Sequence, residues 1–442
     1  MSIFRLTFSF YYQITMQTKT QLLPINFRAE WKETLVREMV GKKLYQLRTP
    51  SLVISRPILE RNCNRLGKIT TELGLNIRVH IKTHKTVEGA RIQLTGANSH
   101  AIVVSTLPEA YAMIHSDLVE SGLLKEVLVG FPITPDKFDD VFELSTKVPK
   151  FQIFIDNLAT LEALEAYYKE RFGDDNHVHP IYVFLKIDCG YGRAGVPLND
   201  SKTVELAKRL QNSTCVVFDG MYTHAGHSYS SKSPQEALEY LINECNVARQ
   251  FRDFLKDNGV DIKYISIGAT PTVKAISAFM HQTDHIKDIL KDINEVHAGA
   301  FAFLDKQQVA TGLSTFGDVS ISVATRIASV YHERNSVLID GGALAFSKDT
   351  APQGGFGFVV DMHDKDQQGK PKIVASVTKI SQEHGILQRL DGSTLSRPDL
   401  QIGSVVRVIP NHCCLAAACH PLYLIVEDDD TVVDVWVPVR GW

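Results

Sequence analysis

Ten residues, Ile77-Arg78-Val79-His80-Ile81-Lys82-Thr83-His84-Lys85-Thr86, hold two lysines, two histidines and an arginine. Ile77, Val79 and Ile81 alternate with Arg78, His80 and Lys82, the two-residue period of a strand. One face of that strand therefore carries basic groups up to its end at Lys82. Burial and neighbouring positive charge both disfavour a lysine's charged form. A neutral amine attacks carbonyls and can hold an aldehyde cofactor covalently, as with pyridoxal phosphate. Taken alone, the run also reads as a solvated basic strand end.

Three other segments carry chemistry. Ile267-Gly268-Ala269-Thr270-Pro271-Thr272 reads as a strand, a small-residue turn and a helix start. Backbone amides at such a turn bind phosphate without side-chain bulk, though an ordinary capped turn looks the same. Upstream, Tyr222-Thr223-His224-Ala225-Gly226-His227-Ser228-Tyr229 follows another strand, and its histidines read as polar site lining. Lys186-Ile187-Asp188-Cys189-Gly190-Tyr191-Gly192-Arg193 ends a further strand. Its glycines allow close backbone approach, and Arg193 brings a fixed charge to face a phenolate or ring nitrogen; a surface ion pair is the plainer alternative. Near the C-terminus stands Pro410-Asn411-His412-Cys413-Cys414. If the preceding strand persists, His412 and Cys414 point the same way and Cys413 away. Imidazole with thiolate suits zinc, and two protein ligands leave positions open, the pattern of a catalytic metal. A chance cluster of small thiols in a core is the other reading.

Something must bring these segments together. Strand-like runs occur at Ile77–Ile81, Ala101–Val104, Val127–Val129, Phe151–Ile155, Tyr182–Ile187, Val217–Tyr222, Tyr264–Ile267 and Glu295–His297, most of them separated by helical patterns. That alternation predicts a closed (β/α)8 barrel of the TIM type, in which strand C-termini share one catalytic rim. Lys82, Asp188, His224, Gly268 and His297 all fall at or just past such ends. No G-x-G-x-x-G follows the first strand, which argues against a doubly wound nucleotide fold. Beyond about Thr315, strand-like runs separated by glycine, proline and aspartate predict a second, all-β C-terminal domain. Between Phe27 and Leu47 the apolar spacing is helical, and Ser51–Ser55 reads as a strand.

With 442 residues, 44% hydrophobic and 22% charged, the composition is that of a two-domain globular protein. The net charge of −3 gives no global field toward nucleic acid, and no apolar run approaches the roughly 20 residues of a membrane span. Seven scattered cysteines point to reduced thiols and the cytoplasm. The first acid is Glu30. The opening residues therefore stay open between an organellar address, an upstream extension with Met16 as the start, and a loosely packed tail.

Together these segments closely resemble the eukaryotic D-serine dehydratases, fold-type III pyridoxal-phosphate enzymes related to D-threonine aldolase and alanine racemase. The likeness runs from Leu47-Arg48-Thr49-Pro50 to Val435-Trp436-Val437-Pro438. It rests on the lysine run, Tyr222 through Ser231, Gly268 through Thr272, Ser381-Gln382-Glu383-His384-Gly385-Ile386-Leu387 and His412-Cys413-Cys414. It implies an alanine racemase-like barrel over residues 56–312 and a β-domain over 313–442. Residues 27–55 join the β-domain, and 1–26 form an extension. It also implies Lys82, not Lys85, as the cofactor lysine. Tyr222, Tyr229, Gly268, Ala269 and Thr270 would lie around pyridoxal phosphate, with His80 and Arg193 beside them. His412 and Cys414 would bind zinc. The activity implied is loss of water from D-serine, with some action on D-threonine, by a homodimer. D-Threonine aldolases carry aspartate where Cys414 stands, which favours dehydration over aldol cleavage. Relatives often have tyrosine at Phe301. A non-catalytic pyridoxal-phosphate carrier is disfavoured, since such proteins lack the β-domain.

Overall fold

The computed structural model describes residues 25–173, 181–365, 371–395, 400–427 and 429–442. The expectations for residues 1–24 lie outside them. Strand β1 (Ser51–Ser55) precedes eight parallel strands that close a barrel. These are β2 (Asn76–His80), β3 (Ala101–Val104), β4 (Glu126–Val129), β5 (Lys150–Ile155), β6 (Ile181–Lys186), β7 (Val216–Tyr222), β8 (Ile265–Ile267) and β9 (Glu295–Ala298). Each pairs with the next, and β9 returns to β2. The crossover helices carry the expected start signals. Asn157 accepts from the Thr160 amide to cap Leu158–Phe172, and Ser233 caps Pro234–Asp257 with proline in the first turn.

Strand alternation divides the side chains between lumen and outer wall. Ile77, Val79 and Ile81 face the helices, as the two-residue period predicts, while Arg78 is wholly buried inside. Its guanidinium meets Glu295 Oε1 at 2.9 Å, Gln152 Oε1 at 2.8 Å and Glu126 Oε2 at 2.7 Å. Burial opposes that charge, but the two carboxylates prevail and keep the group protonated. Above this polar floor Val103, Leu128, Phe154, Phe184 and Tyr222 pack together.

Eight further strands follow the barrel: β10 (Ile321–Tyr331), β11 (Ser336–Ile339), β12 (Gly357–Lys365), β13 (Pro371–Ile380), β14 (Gly385–Gln388), β15 (Val405–Pro410), β16 (Tyr423–Val426) and β17 (Val432–Trp436). The sheet order is β11-β14-β13-β12-β15-β10-β1-β16-β17, and β10 also pairs with β11, which curls the sheet into a second barrel. Strand β1 lies between β10 and β16, in this sheet.

Three details depart from the sequence reading. The helical spacing over Phe27–Leu47 is realised as a helix Ile25–Met39 and a short 3-10 turn Leu44–Gln46, because Gly41 takes φ +83° between them. Strand β14 overlaps the end of the Ser381–Leu387 segment, which carried no strand reading of its own. The third concerns chemistry. β15 stops at Pro410, and His412 is the residue preceding a helix Cys413–Ala418. Strand alternation therefore does not set the directions of His412 and Cys414.

Candidate active site

Lys82 leaves β2 at the barrel rim, half-buried. Among the described residues its amine has no carboxylate partner. Lys85 is different: at φ +55° its chain turns away, and its Nζ pairs with Glu109 at 2.7 Å. His84 is spoken for as well. Its ring nitrogens meet Thr86 Oγ1 and Gln93 Oε1, each at 3.0 Å, and burial pushes the imidazole down to about 4. Of the basic run, only His80 and Lys82 are left to face a ligand.

Around that rim the lumen presents imidazoles held neutral. Burial lowers His80, His224 and His297 well below the ordinary histidine range, and nearby cations push the same way. Two tautomers follow from hydrogen bonds. Gly268 O can only accept, so His224 donates from Nδ1 across 2.9 Å. Ser266 donates its hydroxyl to Glu295 Oε1 at 2.7 Å, so His297 donates from Nδ1 to Ser266 Oγ at 2.9 Å. His297 Nε2 is then a bare acceptor, buried without a partner among the described residues. Its ring lies over Tyr222 at 3.9 Å with 11° between planes. On the same cluster, Lys186 Nζ sits 4.6 Å from the Tyr222 ring centre and 5.3 Å from that of Phe154. Burial brings this ammonium down to about 7. Arg193 stands at the edge of this cluster, near enough for its charge to help lower Lys186 and His224 and to oppose the rise of the Tyr222 phenol. It is exposed, with its guanidinium over Tyr191 at 5.2 Å.

The turn after β8 fits an anion. Gly268 takes φ +146°, and a Cβ there would stand 2.4 Å from His297 O, so only glycine fits. Its amide is already donated to Glu244 at 3.0 Å, and that of Ala269 to Thr272 Oγ1 at 3.0 Å. What remains is the start of the helix Thr270–Ala278 and the Thr270 hydroxyl, 1% exposed and without an aligned partner. Tyr229 is half-buried beside it; burial raises its phenol, and Thr270 Oγ1 opposes the rise. A free amine, a glycine cradle and a buried hydroxyl at a helix start, with a phenol beside it, suit pyridoxal phosphate. Phe301 is buried between helices Arg56–Leu73 and Thr270–Ala278, lining a small cavity with Asn62 and Lys274.

Across the cleft, Thr83 Oγ1 lies 3.0 Å from Cys414 Sγ. Contact with Cys413, and then with His412, holds the Cys414 thiol well below its usual range despite burial. His412 Nδ1 meets Asp349 Oδ2 at 2.7 Å, and the same ring contacts Cys414, so Nε2 is the nitrogen left to serve beside the thiolate as a metal donor. Cys413 is buried, with its amide on Asp305. Among the described residues no group of three or more His, Cys, Asp or Glu could hold a metal ion. The available donor set is therefore one imidazole and one thiolate, which suits a soft or borderline ion with open positions.

Sequence reasoning missed Glu244 and Asp349, which lie far along the chain from the groups they hold. Lys186 and His297 stood inside quoted segments. Their lumen-facing positions follow from strand alternation with Phe184 and Glu295.

Residues 54–287 match the family model for the alanine racemase N-terminal domain, and residues 320–426 match the one described as "Putative serine dehydratase domain". A D-serine dehydratase of Schizosaccharomyces pombe is 36% identical over 93% of this chain and 96% of its own length. A solved structure of D-threo-3-hydroxyaspartate dehydratase from Delftia superposes with a TM-score of 0.77 at 26% identity, over 91% of this chain and 100% of that one. A D-threonine aldolase from Arthrobacter is 24% identical over 91% of this chain and 95% of its own. With a barrel carrying a free rim lysine, a β-domain carrying a histidine–cysteine pair, and these likenesses over nearly the whole chain, the protein belongs to the D-serine dehydratase family on the alanine racemase-like fold.

Proposed function

We infer that the protein removes water from D-serine by β-elimination, giving pyruvate and ammonia, with pyridoxal phosphate on Lys82 and zinc on His412 and Cys414. The observation that carries this reading is the Thr83–Cys414 contact. It sets the residue next to the cofactor lysine directly against a metal-type thiolate, so amine and Lewis-acid site face one cleft.

When bound, the cofactor supplies an electron-withdrawing ring for the electron pair left at the substrate's Cα. Zinc, when bound, supplies a Lewis acid for the β-oxygen, a poor leaving group. The chain does the rest. Lys82 Nζ takes the Cα proton. Tyr222 and His297 form a stacked wall, and His80 and His224 line the mouth as neutral groups. Thr270 Oγ1 and the start of its helix hold the phosphate. Asp349 fixes the His412 tautomer, leaving Nε2 for the metal. The metal assignment is supported by solved variants of D-threo-3-hydroxyaspartate dehydratase. One, with a cysteine changed to alanine, is described as metal-free; another has a histidine changed two positions earlier in the chain. His412 and Cys414 have that spacing.

Cysteine in place of aspartate at 414 favours elimination over aldol cleavage, so action on D-threonine should yield a keto acid and ammonia, not glycine and acetaldehyde. The seven cysteines suit a reducing compartment, and we place the protein in the cytoplasm as a homodimer. Among the described residues no helix is long and apolar enough to cross a membrane. A pyruvate assay on D-serine, with metal analysis and a chelator arm, tests the function. Activity should vanish on metal removal and return with zinc. No pyruvate from protein loaded with pyridoxal phosphate would refute the reaction; full activity without metal would refute the metal's part.

A further inference from the structure

Glu244 stands out among buried groups with no assigned role. It sits midway along the helix Pro234–Asp257, fully buried. One oxygen, Oε1, accepts from Thr223 Oγ1, from the Ala225 amide at 3.1 Å and from the Gly268 amide at 3.0 Å. The other, Oε2, is buried with no partner among the described residues. A buried carboxylate without a contacting cation is expensive, and an apolar residue often serves stability as well. Burial raises the Glu244 carboxyl above the ordinary range, and its donors and the nearby Lys186 only oppose that rise; whatever charge it keeps would repel an anion. Neither stability nor field accounts for a carboxylate here; its three donors do. They belong to the loop after β7 and the turn after β8, the two segments that carry Tyr229 and Thr270.

We propose that Glu244 is a positioning residue for the cofactor's phosphate, clamping the loop after β7 to the turn after β8. Its effect runs through Gly268. Glu244 holds the amide of that residue from one side, and His224 Nδ1 holds its carbonyl from the other at 2.9 Å. Two successive peptide planes are thereby fixed in a φ +146° conformation that only glycine adopts readily. With the Gly268 and Ala269 amides directed inward, the Thr270 hydroxyl and the start of its helix are the groups left to meet the phosphate. This proposal rests on the cofactor reading above.

The test compares pyridoxal phosphate with pyridoxal, which lacks the phosphate. Both are titrated into the full-length apoprotein, followed by absorbance and protein fluorescence, with 31P NMR of the phosphate complex. Wild type should bind pyridoxal phosphate far more tightly than pyridoxal. In Glu244→Ala that advantage should fall about tenfold or more, with pyridoxal binding unchanged and the 31P signal moved toward its free position. Glu244→Gln keeps an acceptor at Oε1 and should retain most of the advantage. Glu244→Asp, with shorter reach, should lose part of it and serves if the alanine variant does not fold. A folded Glu244→Ala or Glu244→Asp protein with wild-type preference for the phosphate form overturns the proposal. Equal weakening of both ligands also overturns it, because that is the mark of general loosening. If wild type itself shows no preference for the phosphate form, the cofactor reading falls first and takes this one with it.

Discussion

Gly268→Ala is the sharpest probe of the phosphate turn. Two costs meet there. A φ of +146° is strained for any residue with a Cβ, and the added atom would lie 2.4 Å from His297 O. That carbonyl has little room to retreat, since β9 is paired on both sides: Ser266 opposite Glu295 and Ile267 opposite Val296, with Arg78 opposite His297. Strain and overlap together should cost about 2–4 kcal/mol, roughly 2–4 °C in melting temperature for a chain of this length. The turn can relieve part of this only by moving, and movement displaces Thr270. Lost stability and lost pyridoxal-phosphate affinity should therefore trade against each other, with at least one clearly reduced. Gly74→Ala is the control. It too has positive φ, +66°, but nothing lies within 4 Å of the added atom, so it should cost only about 1 kcal/mol and leave cofactor affinity intact. Thermal melts and cofactor titrations on both variants settle the matter. A Gly268→Ala protein matching wild type in both would refute the claim that this turn is a fitted cradle.

Borohydride reduction should fix the cofactor to the peptide containing Lys82; Lys82→Ala should abolish the label while Lys85→Ala keeps it, as peptide mass spectrometry would show. Arg78→Met leaves Glu295 and Glu126 without their buried cation, and chemical unfolding should show a loss of about 3–5 kcal/mol. His84 and His420 are buried and neutral, each lowered to about 4 from an ordinary 6.5. Between those values the unfolded chain binds protons that the folded one refuses. Stability is thus complete above about pH 6.5 and drains away toward pH 4, by up to about 3 kcal/mol per histidine. His420→Gln should flatten that slope in acid melts; an unchanged slope for both His420→Gln and His84→Gln would refute the assignment.

The architecture was legible where chemistry and periodicity coincide in one short segment. The eight barrel strands showed as apolar runs because parallel strands are buried on both faces. Lys82 and the Gly268 turn showed because each closes such a run, where a barrel places its catalytic rim. Legibility failed where a local rule met a distant contact. Strand alternation puts His412 and Cys414 on one face only if the strand persists, and Pro410 ends the ladder with a helix beginning at Cys413. Their convergence depends instead on Asp349 and Thr83, 63 and 331 residues away. The charge of Arg193 at its strand end was legible, but the placing of its guanidinium over Tyr191 on an exposed loop was not.

The same limit explains why the basic run could not be parsed from its own residues. Five basic groups stand within it, and each has the chemistry to hold a ligand. What separates them is who else has claimed them. Arg78 goes to Glu295 and Glu126, His84 to Thr86 and Gln93, Lys85 to Glu109. His80 accepts from the Lys82 amide at Nδ1, 3.3 Å away, and lines the mouth as a neutral ring with no amine to offer an aldehyde. Lys82 is the remainder, and its availability is a property of the whole barrel. Opposite it the chain holds Cys414 by Thr83, one residue further on, so any shift of the β2 loop moves the amine and its thiolate neighbour together. That coupling makes Thr83 a useful lever. Thr83→Val keeps the shape and removes the hydroxyl, so it should loosen metal retention against a chelator while leaving the borohydride label on Lys82. Loss of the label with metal retained would show that the two halves of the cleft are joined some other way.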